Sequence, residues 1–260
     1  MKKEEQTELS IIIPAYNEEK RIERTLLAYC DFFKGKMNFD VHVIVNGCTD
    51  NTLGVVEEIA RKHPEIHYVD IGKVGSKGAA VNYGFKIAEG ELIGFVDADL
   101  ATKPDAFYEL VQNIEGYEGV IASRWMNGAK IDKRQPFTRI FAGRSFNLLV
   151  NFFFNLGIKD TQCGAKLFRK KAIKIVAKEL GITKWAFDVD LLYQMKRHTF
   201  KIKEIPTEWS EPGGSHIKLK TVAEMFLAIL RLRLIYSPLN LVVKLYDKLP
   251  QKMKLSEMVK

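Results

Sequence analysis

Cysteine is scarce and unpatterned in this sequence: Cys30, Cys48 and Cys163 are odd in number and no CxxC spacing joins any two. That argues against a disulfide framework or a structural zinc site and points to a reducing compartment. Two glycine signatures are missing as well. No GxxxxGK[ST] occurs, and no glycine-rich turn of the GxGxxG kind follows the first apolar run, which removes P-loop NTPases and NAD-linked oxidoreductases as leading readings. Long apolar runs are also lacking where they would matter most. Between Val222 and Leu249, Arg231, Arg233 and Pro238 interrupt two apolar stretches before either reaches the roughly 18 to 20 residues needed to cross a bilayer. There is no internal repeat and no low-complexity segment. The polar start, Met1-Lys2-Lys3-Glu4-Glu5, gives no sign of a signal peptide, so the expected location is cytoplasmic, with the catalytic part facing the cytosol.

What is present is a chain of 260 residues, 47% of them hydrophobic, enough for one sizeable α/β domain with an appendage. Residues 9–13, 41–45, 66–71, 92–96 and 119–123 have the short apolar character of strands. Residues 18–33, a segment through Val55, Val56 and Ile59, then 78–89 and 103–113 have helical spacing, Pro104 falling in a first turn. Strand alternating with helix implies right-handed βαβ units and a mostly parallel sheet. After Trp125 the alternation weakens. Helical patterns return at 137–156 and 170–180, a late strand is expected near 202–209, and Glu211-Pro212-Gly213-Gly214 is the best boundary, dividing a domain of residues 1–215 from a tail of 216–260. The formal charge of +8 is concentrated in that tail, which holds nine Lys and Arg against three acids. Its cations are interleaved with large aliphatic residues rather than polar base readers. An anionic membrane surface, met through interfacial amphipathic helices, is therefore expected rather than nucleic acid. The alternative is a pair of helices packed on the domain or on a second subunit.

The chemistry concentrates where strands end. Leu92-Ile93-Gly94-Phe95-Val96 runs into Asp97-Ala98-Asp99, and open α/β sheets bind ligands at the carboxyl ends of their strands. Two carboxylates there can hold one hard divalent cation, Mg2+ or Mn2+, that bridges to a substrate diphosphate. In a parallel sheet, Pro14-Ala15-Tyr16-Asn17-Glu18 and Asn46-Gly47-Cys48-Thr49-Asp50 converge on the same edge. A donor nucleotide lying across them meets Tyr16 to pack on and Glu18 and Asp50 as acceptors. The turn Gly72-Lys73-Val74-Gly75-Ser76-Lys77-Gly78 opens a helix and can face phosphate through backbone N–H groups and Lys77.

Taken in order, Ile13-Pro14-Ala15-Tyr16-Asn17-Glu18-Glu19, Asn46 through Thr52, Gly75-Ser76-Lys77-Gly78, Phe95 through Asp99 and Ser123-Arg124-Trp125 resemble the inverting family 2 glycosyltransferases of the GT-A fold. The resemblance covers roughly residues 8–215. Asp160-Thr161-Gln162-Cys163-Gly164-Ala165-Lys166-Leu167-Phe168 and Phe187-Asp188-Val189-Asp190-Leu191-Leu192 are most similar to dolichyl-phosphate glucose synthases, with dolichyl-phosphate mannose synthases next. The resemblance implies a GT-A nucleotide-sugar-binding fold with a mostly parallel central sheet flanked by helices, and transfer of a hexose with inversion, from UDP-glucose or alternatively GDP-mannose, to a polyprenyl (dolichyl) phosphate. A soluble enzyme with a non-lipid acceptor is the other alternative.

By the same resemblance Pro14, Ala15, Tyr16, Glu18, Asn46, Asp50, Lys77, Gly78 and Ala98 line the donor pocket, and Asp97 and Asp99 bind the metal and the diphosphate. Arg124 meets the acceptor phosphate, with Arg139 and Arg144 as further candidates. Asp188 and Asp190 are catalytic-site carboxylates that orient sugar hydroxyls or a cationic partner; Asp190 would be the base if the acceptor were a hydroxyl. Departures are specific. Asn46 stands where Asp is frequent, Ala101 where mannose synthases often carry a metal-binding Gln, and His216 where Lys or Arg is commoner. Processive synthases carry Gln-x-x-Arg-Trp, which is absent here, so a single transfer is expected rather than polymerisation.

Overall fold

A computed structural model describes residues 7–72, 76–132, 137–181, 186–210, 219–238 and 240–241, with side chains at 137–139 and 219–223 left aside. Lys73 and Gly75, the side chain of Arg139, the Glu211–Gly214 boundary, His216 and the tail after Leu241 lie outside the described residues.

The first half alternates as its apolar spacing predicts: β1 (Leu9–Ala15), α1 (Ile22–Phe33), β2 (Phe39–Val45), α2 (Thr52–Ala60), β3 (Ile66–Asp70), α3 (Lys77–Ile87), β4 (Leu92–Phe95), α4 (Pro104–Gln112) and β5 (Gly119–Ser123). The second half holds β6 (Lys130–Ile131), α5 (Phe137–Phe154), β7 (Lys166–Arg169), α6 (Lys170–Val176), α7 (Phe187–Arg197), β8 (Ile202–Pro206), β9 (Glu208–Trp209) and α8 (Leu219–Ile235). Seven strands form one sheet in the order β3-β2-β1-β4-β7-β5-β8, and β6 pairs with β9 apart from it. All neighbours in the large sheet are parallel except β7, which runs antiparallel to both β4 and β5.

Strand periodicity divides the core into two faces. Leu9, Ile11, Ile13 and Ala15 of β1 join Val41, Val43 and Val45 of β2 under α1, α2 and α4. Ile12 and Ile44 point the other way, into a cluster with Phe85, Phe95, Phe168, Ile173 and Leu191 beneath α3, α6 and α7. Each such side chain, fully buried, contributes about 1.5–3 kcal/mol. Helices on both faces leave β1 and β2 buried almost throughout, which explains their continuous apolar runs. A third cluster joins Phe146, Val150 and Phe154 of α5 to Val189 of α7 and to Ile229 and Leu232 of α8. The described start of the tail is thus a helix packed on α5 and α7. Among the described residues no helix is long and apolar enough to cross a membrane.

Candidate active site

Parallel pairing of β1 with β2 and β4 brings three loops to one edge, and hydrogen bonds lock the first two loops together. Asn17, at a left-handed φ of 55°, accepts through Oδ1 from the Thr49 N–H at 2.8 Å. The Glu18 N–H donates to Thr52 Oγ1 at 2.8 Å, the Glu19 N–H to Asp50 Oδ2 at 3.2 Å, and the Asn51 N–H to Glu19 Oε2 at 2.8 Å. Asp50 Oδ1 also accepts from the Thr52 hydroxyl at 2.5 Å and the Thr52 N–H at 3.1 Å. Burial is the largest single influence and opposes ionisation, yet these bonds together hold the Asp50 carboxyl below its ordinary value. Asp50 thus braces the loops and keeps little acceptor capacity for a ligand. Glu18 is similarly engaged, taking both Nε and Nη2 of Arg21 at 2.7 and 2.9 Å. With Asn17, Glu19, Lys20, Arg21 and Asp50 it lines a cavity of about 420 Å³.

Of the other expected donor-pocket residues, Tyr16 is 62% exposed, free to lie against a planar ligand. Ala15, Asn46, Gly78 and Ala98 are buried, and Pro14 is half-buried. The amide of Asn46 donates from Nδ2 to the Ser76 carbonyl at 2.9 Å, tying the end of β2 to the start of α3. Ser76 caps that helix, its Oγ accepting from the Ala79 N–H at 3.2 Å. A Cβ at Gly78 would fall 2.6 Å from the Phe187 side chain, so glycine here lets the amino termini of α3 and α7 meet.

Asp97 and Asp99 follow β4. Lys77, on the first turn of α3, pairs with Asp97 Oδ1. Burial alone would depress the Lys77 ammonium, but Asp97 first, then Asp188, hold it above its usual value. Burial, then the Asp97 charge, push the Asp99 carboxyl up. Glu18 also rises, chiefly through burial, with Asp99 and Asp97 adding to it, so the three carboxylates share one electrostatic neighbourhood. Leu100 carries the chain onward at φ 58°, a left-handed conformation costly for a leucine, and the Ala101 N–H donates to Asp99 Oδ1 at 3.0 Å. Two hard oxygen ligands whose mutual repulsion is only partly relieved by Lys77 fit a divalent cation such as Mg2+ or Mn2+. The loop before β7 closes over them: a Cβ at Gly164 would lie 1.9 Å from Asp97 Oδ2, so only glycine fits without moving the carboxylate.

Deeper in, Lys166 of β7 is wholly buried and donates to Asp188 Oδ1 and to the Cys163 carbonyl, both at 2.6 Å. Asp188 thus has the cationic partner its motif allowed for, one that sequence reasoning left unidentified. A lysine inside the apolar run Ala165-Lys166-Leu167-Phe168 was the available signal, since an unpaired buried ammonium is unaffordable.

Two expected site residues are held by partners within the chain. Arg124, expected to meet the acceptor phosphate, gives its backbone N–H and guanidinium Nε to Asp160 Oδ2 at 3.0 and 2.8 Å and Nη2 to Oδ1 at 2.9 Å. Burial works against the Asp160 anion, yet Arg124 holds its carboxyl below the ordinary range. The pair is internally neutral, so the more open cation is Arg144 of α5, whose guanidinium lies 5.2 Å over the Trp125 ring that Arg124 flanks at 5.9 Å. Asp190, expected as a catalytic carboxylate, is wholly buried; its Oδ1 accepts from the Tyr236 hydroxyl at 2.5 Å, and Oδ2 rests against Gly181. Burial pushes it up to about 7, and the charged neighbour that acts on it is Arg197, not the strand-end acids. Asp188 and Asp190 stand two residues apart on α7, so they face different ways, one toward Lys166 and the other toward the α8 junction.

The sequence pattern of Glycosyl transferase family 2 matches residues 10–176. A dolichyl-phosphate beta-glucosyltransferase of Trichomonas vaginalis is 35% identical over 240 residues, 87% of this chain and 71% of the relative. The Homo sapiens protein of the same description is 31% identical over 225 residues, 81% and 69% of the two chains. Among solved structures, glucosyl-3-phosphoglycerate synthase from Mycobacterium tuberculosis, in complex with Mn2+, UDP and phosphoglyceric acid, superposes with a TM-score of 0.64 at 17% identity, covering 88% of this chain and 78% of that one. At that identity the likeness is one of fold.

Proposed function

We propose that this chain, which belongs to glycosyl transferase family 2, transfers glucose from UDP-glucose to a polyprenyl phosphate of the dolichyl type with inversion, at the cytosolic face of a membrane. The observation that carries the reading is Asp97 and Asp99 at the end of β4 with Lys77 beside them, in a chain whose relatives are described as dolichyl-phosphate beta-glucosyltransferases.

Asp97 and Asp99 would hold a divalent cation, which would supply charge stabilisation for a nucleoside diphosphate leaving group. Lys77 adds a second positive charge on that side and, through its pair with Asp97, fixes the carboxylate's orientation. Gly164, lacking a Cβ, lets the loop before β7 pack against Asp97 without displacing its carboxylate. Tyr16 packs against the donor base, and the braced loops of Asn17–Glu19 and Thr49–Thr52 give it a rigid floor. An acceptor phosphate is already ionised at neutral pH, so no side chain has to remove a proton from it. Arg144, with the remaining guanidinium nitrogen of Arg124, holds that phosphate in line with the anomeric carbon. Asp188, fixed by Lys166, orients sugar hydroxyls. Catalysis is then positioning and electrostatics.

The membrane part of the proposal draws support from α5 and α8. Phe141, Leu148 and Phe152 are 70%, 72% and 79% exposed and recur at i, i+7 and i+11, one stripe of α5. Leu227 and Leu241 are also exposed, and Arg231 and Arg233 lie on α8. Such a surface suits the boundary between acyl chains and anionic head groups. Incubating the purified chain with labelled UDP-glucose, Mn2+ or Mg2+ and dolichyl phosphate in detergent should give an organic-extractable labelled product. Label transferred only from GDP-mannose, or only to water-soluble acceptors, would overturn the assignment. Replacing Phe141, Leu148 and Phe152 together with serine should abolish sedimentation with anionic liposomes, and unchanged binding would remove the membrane role of this stripe.

A further inference from the structure

We propose that Cys30, His63 and Glu65 form a binding site for one divalent cation of the zinc class, at the amino-terminal edge of the sheet and distinct from the donor site. Cys30 lies near the end of α1, while His63 and Glu65 flank the turn between α2 and β3. One ligand atom from each residue lies within 4.8 Å of the other two, and this is the one such group of three His, Cys, Asp or Glu among the described residues. His63 Nδ1 and Glu65 Oε1 are already 3.2 Å apart, the separation of two ligands on one small cation. The backbone fixes the turn from both sides: the His63 N–H donates to the Ile59 carbonyl at 3.1 Å, the Ile66 N–H to His63 at 2.9 Å, and the Val41 N–H to Glu65 at 2.9 Å. Asp97 and Asp99 stand at the opposite ends of the strands, roughly 15–20 Å away along β2.

The donor set is thiolate, imidazole and carboxylate. That combination suits zinc and its neighbours better than Mg2+ or Ca2+, which prefer oxygen alone. Cys30 is buried, whereas the His63 and Glu65 side chains are 25% and 20% exposed, so a fourth ligand from water can enter on their side. Binding expels one proton: the Cys30 S–H is replaced by a sulfur–metal bond, Glu65 is already an anion, and His63 binds as the neutral ring. Thiolate, carboxylate and dication then sum to zero charge, which a half-buried site tolerates. Without a cation, burial and the Glu65 charge push the Cys30 thiol up to about 12. A dication reverses that second effect. The scarcity and spacing of cysteine argued against a structural zinc site, but spacing tests only ligands close in sequence. Here the thiol is 33 residues from the imidazole and reaches it through the packing of α1 against α2.

Titrating the full chain with Co2+ tests this. One equivalent should give thiolate-to-cobalt charge-transfer absorption and the intense visible bands of tetrahedral cobalt, and Zn2+ should bleach both. Cys30→Ser should remove the charge-transfer band, His63→Ala should weaken binding by at least about tenfold, and Cys48→Ser should leave the spectrum unchanged. Saturating Zn2+ should raise the melting temperature of the unmodified protein by about 5 °C and leave His63→Ala unmoved. No charge-transfer band, or one that survives Cys30→Ser or disappears with Cys48→Ser, overturns the site. If Cys30→Ser does not fold, the partly exposed His63→Ala decides: a cobalt spectrum and zinc-induced melting shift like those of the unmodified protein reject the proposal.

Discussion

Replacing Asp190 with asparagine should stabilise the protein in a pH-dependent way. An aspartate in an unfolded chain titrates near 3.9, while burial places Asp190 at about 7. Between those values the folded state keeps a proton that the unfolded state has released, so stability present in full below about pH 4 is lost as pH rises toward 7. The gap of about three units corresponds to about 4 kcal/mol. Asparagine has no proton to lose and keeps an oxygen to accept from the Tyr236 hydroxyl, now 2.5 Å from Asp190 Oδ1. The variant's gain over the unmodified protein should therefore be small at pH 4, about 1.5 kcal/mol at pH 5 and about 4 kcal/mol at pH 8. Urea unfolding followed by circular dichroism at pH 5 and pH 8 measures both values. A gain that is equal at the two pH values, or a loss at pH 8, would refute the buried, proton-holding carboxylate.

Other outcomes follow from the donor edge and from the ion pair buried behind it. Asp99→Ala should abolish transfer, by about 100-fold or more, with an unchanged far-ultraviolet spectrum, and chelator should silence the unmodified enzyme until Mn2+ or Mg2+ is restored. Activity that persists in EDTA would remove the metal from the mechanism. Lys166→Met strands the Asp188 carboxylate and should cost about 3–5 kcal/mol in urea unfolding, much of it recovered by adding Asp188→Asn; additive losses would contradict the pair. Gly164→Ala drives a methyl group into Asp97 and should weaken Mn2+ binding by calorimetry more than it lowers the melting temperature, whereas wild-type affinity would show that the loop yields.

The parallel half of the sheet was legible because each of its strands is an apolar run bounded by turn residues and followed by a helical pattern. The strand-end loops were legible for the same reason: Pro14, Asn46 and Asp97 each stand where such a run stops. What escaped was set by contacts between distant residues. Lys166-Leu167-Phe168-Arg169 is only four residues long with a charge at each end, so it carries no strand signal of its own, yet β4 and β5 pair with it on both sides. The partners of Asp50, Arg124 and Asp190 were not legible, because residue type reveals the capacity to bond and not the partner. Glu19, Asp160 and Tyr236 take up that capacity in the folded chain. The start of α8 showed its amphipathic character in sequence, but not that its apolar side would be used against α5 and α7.

The reversed strand between β4 and β5 also bears on how the chain is made. As the polypeptide leaves the ribosome, β1 to β4 can pair in order, but β4 then presents an open edge until residue 169 has emerged, more than 70 residues later. During that interval a buried, apolar strand edge is available to any other nascent chain. β5 cannot close it, because its own route into the sheet runs through β7. Carboxyl-terminal truncations that stop short of Lys166 should therefore aggregate rather than form a smaller stable domain, and the pairings of β5 and β8 with the rest of the sheet wait on that late strand.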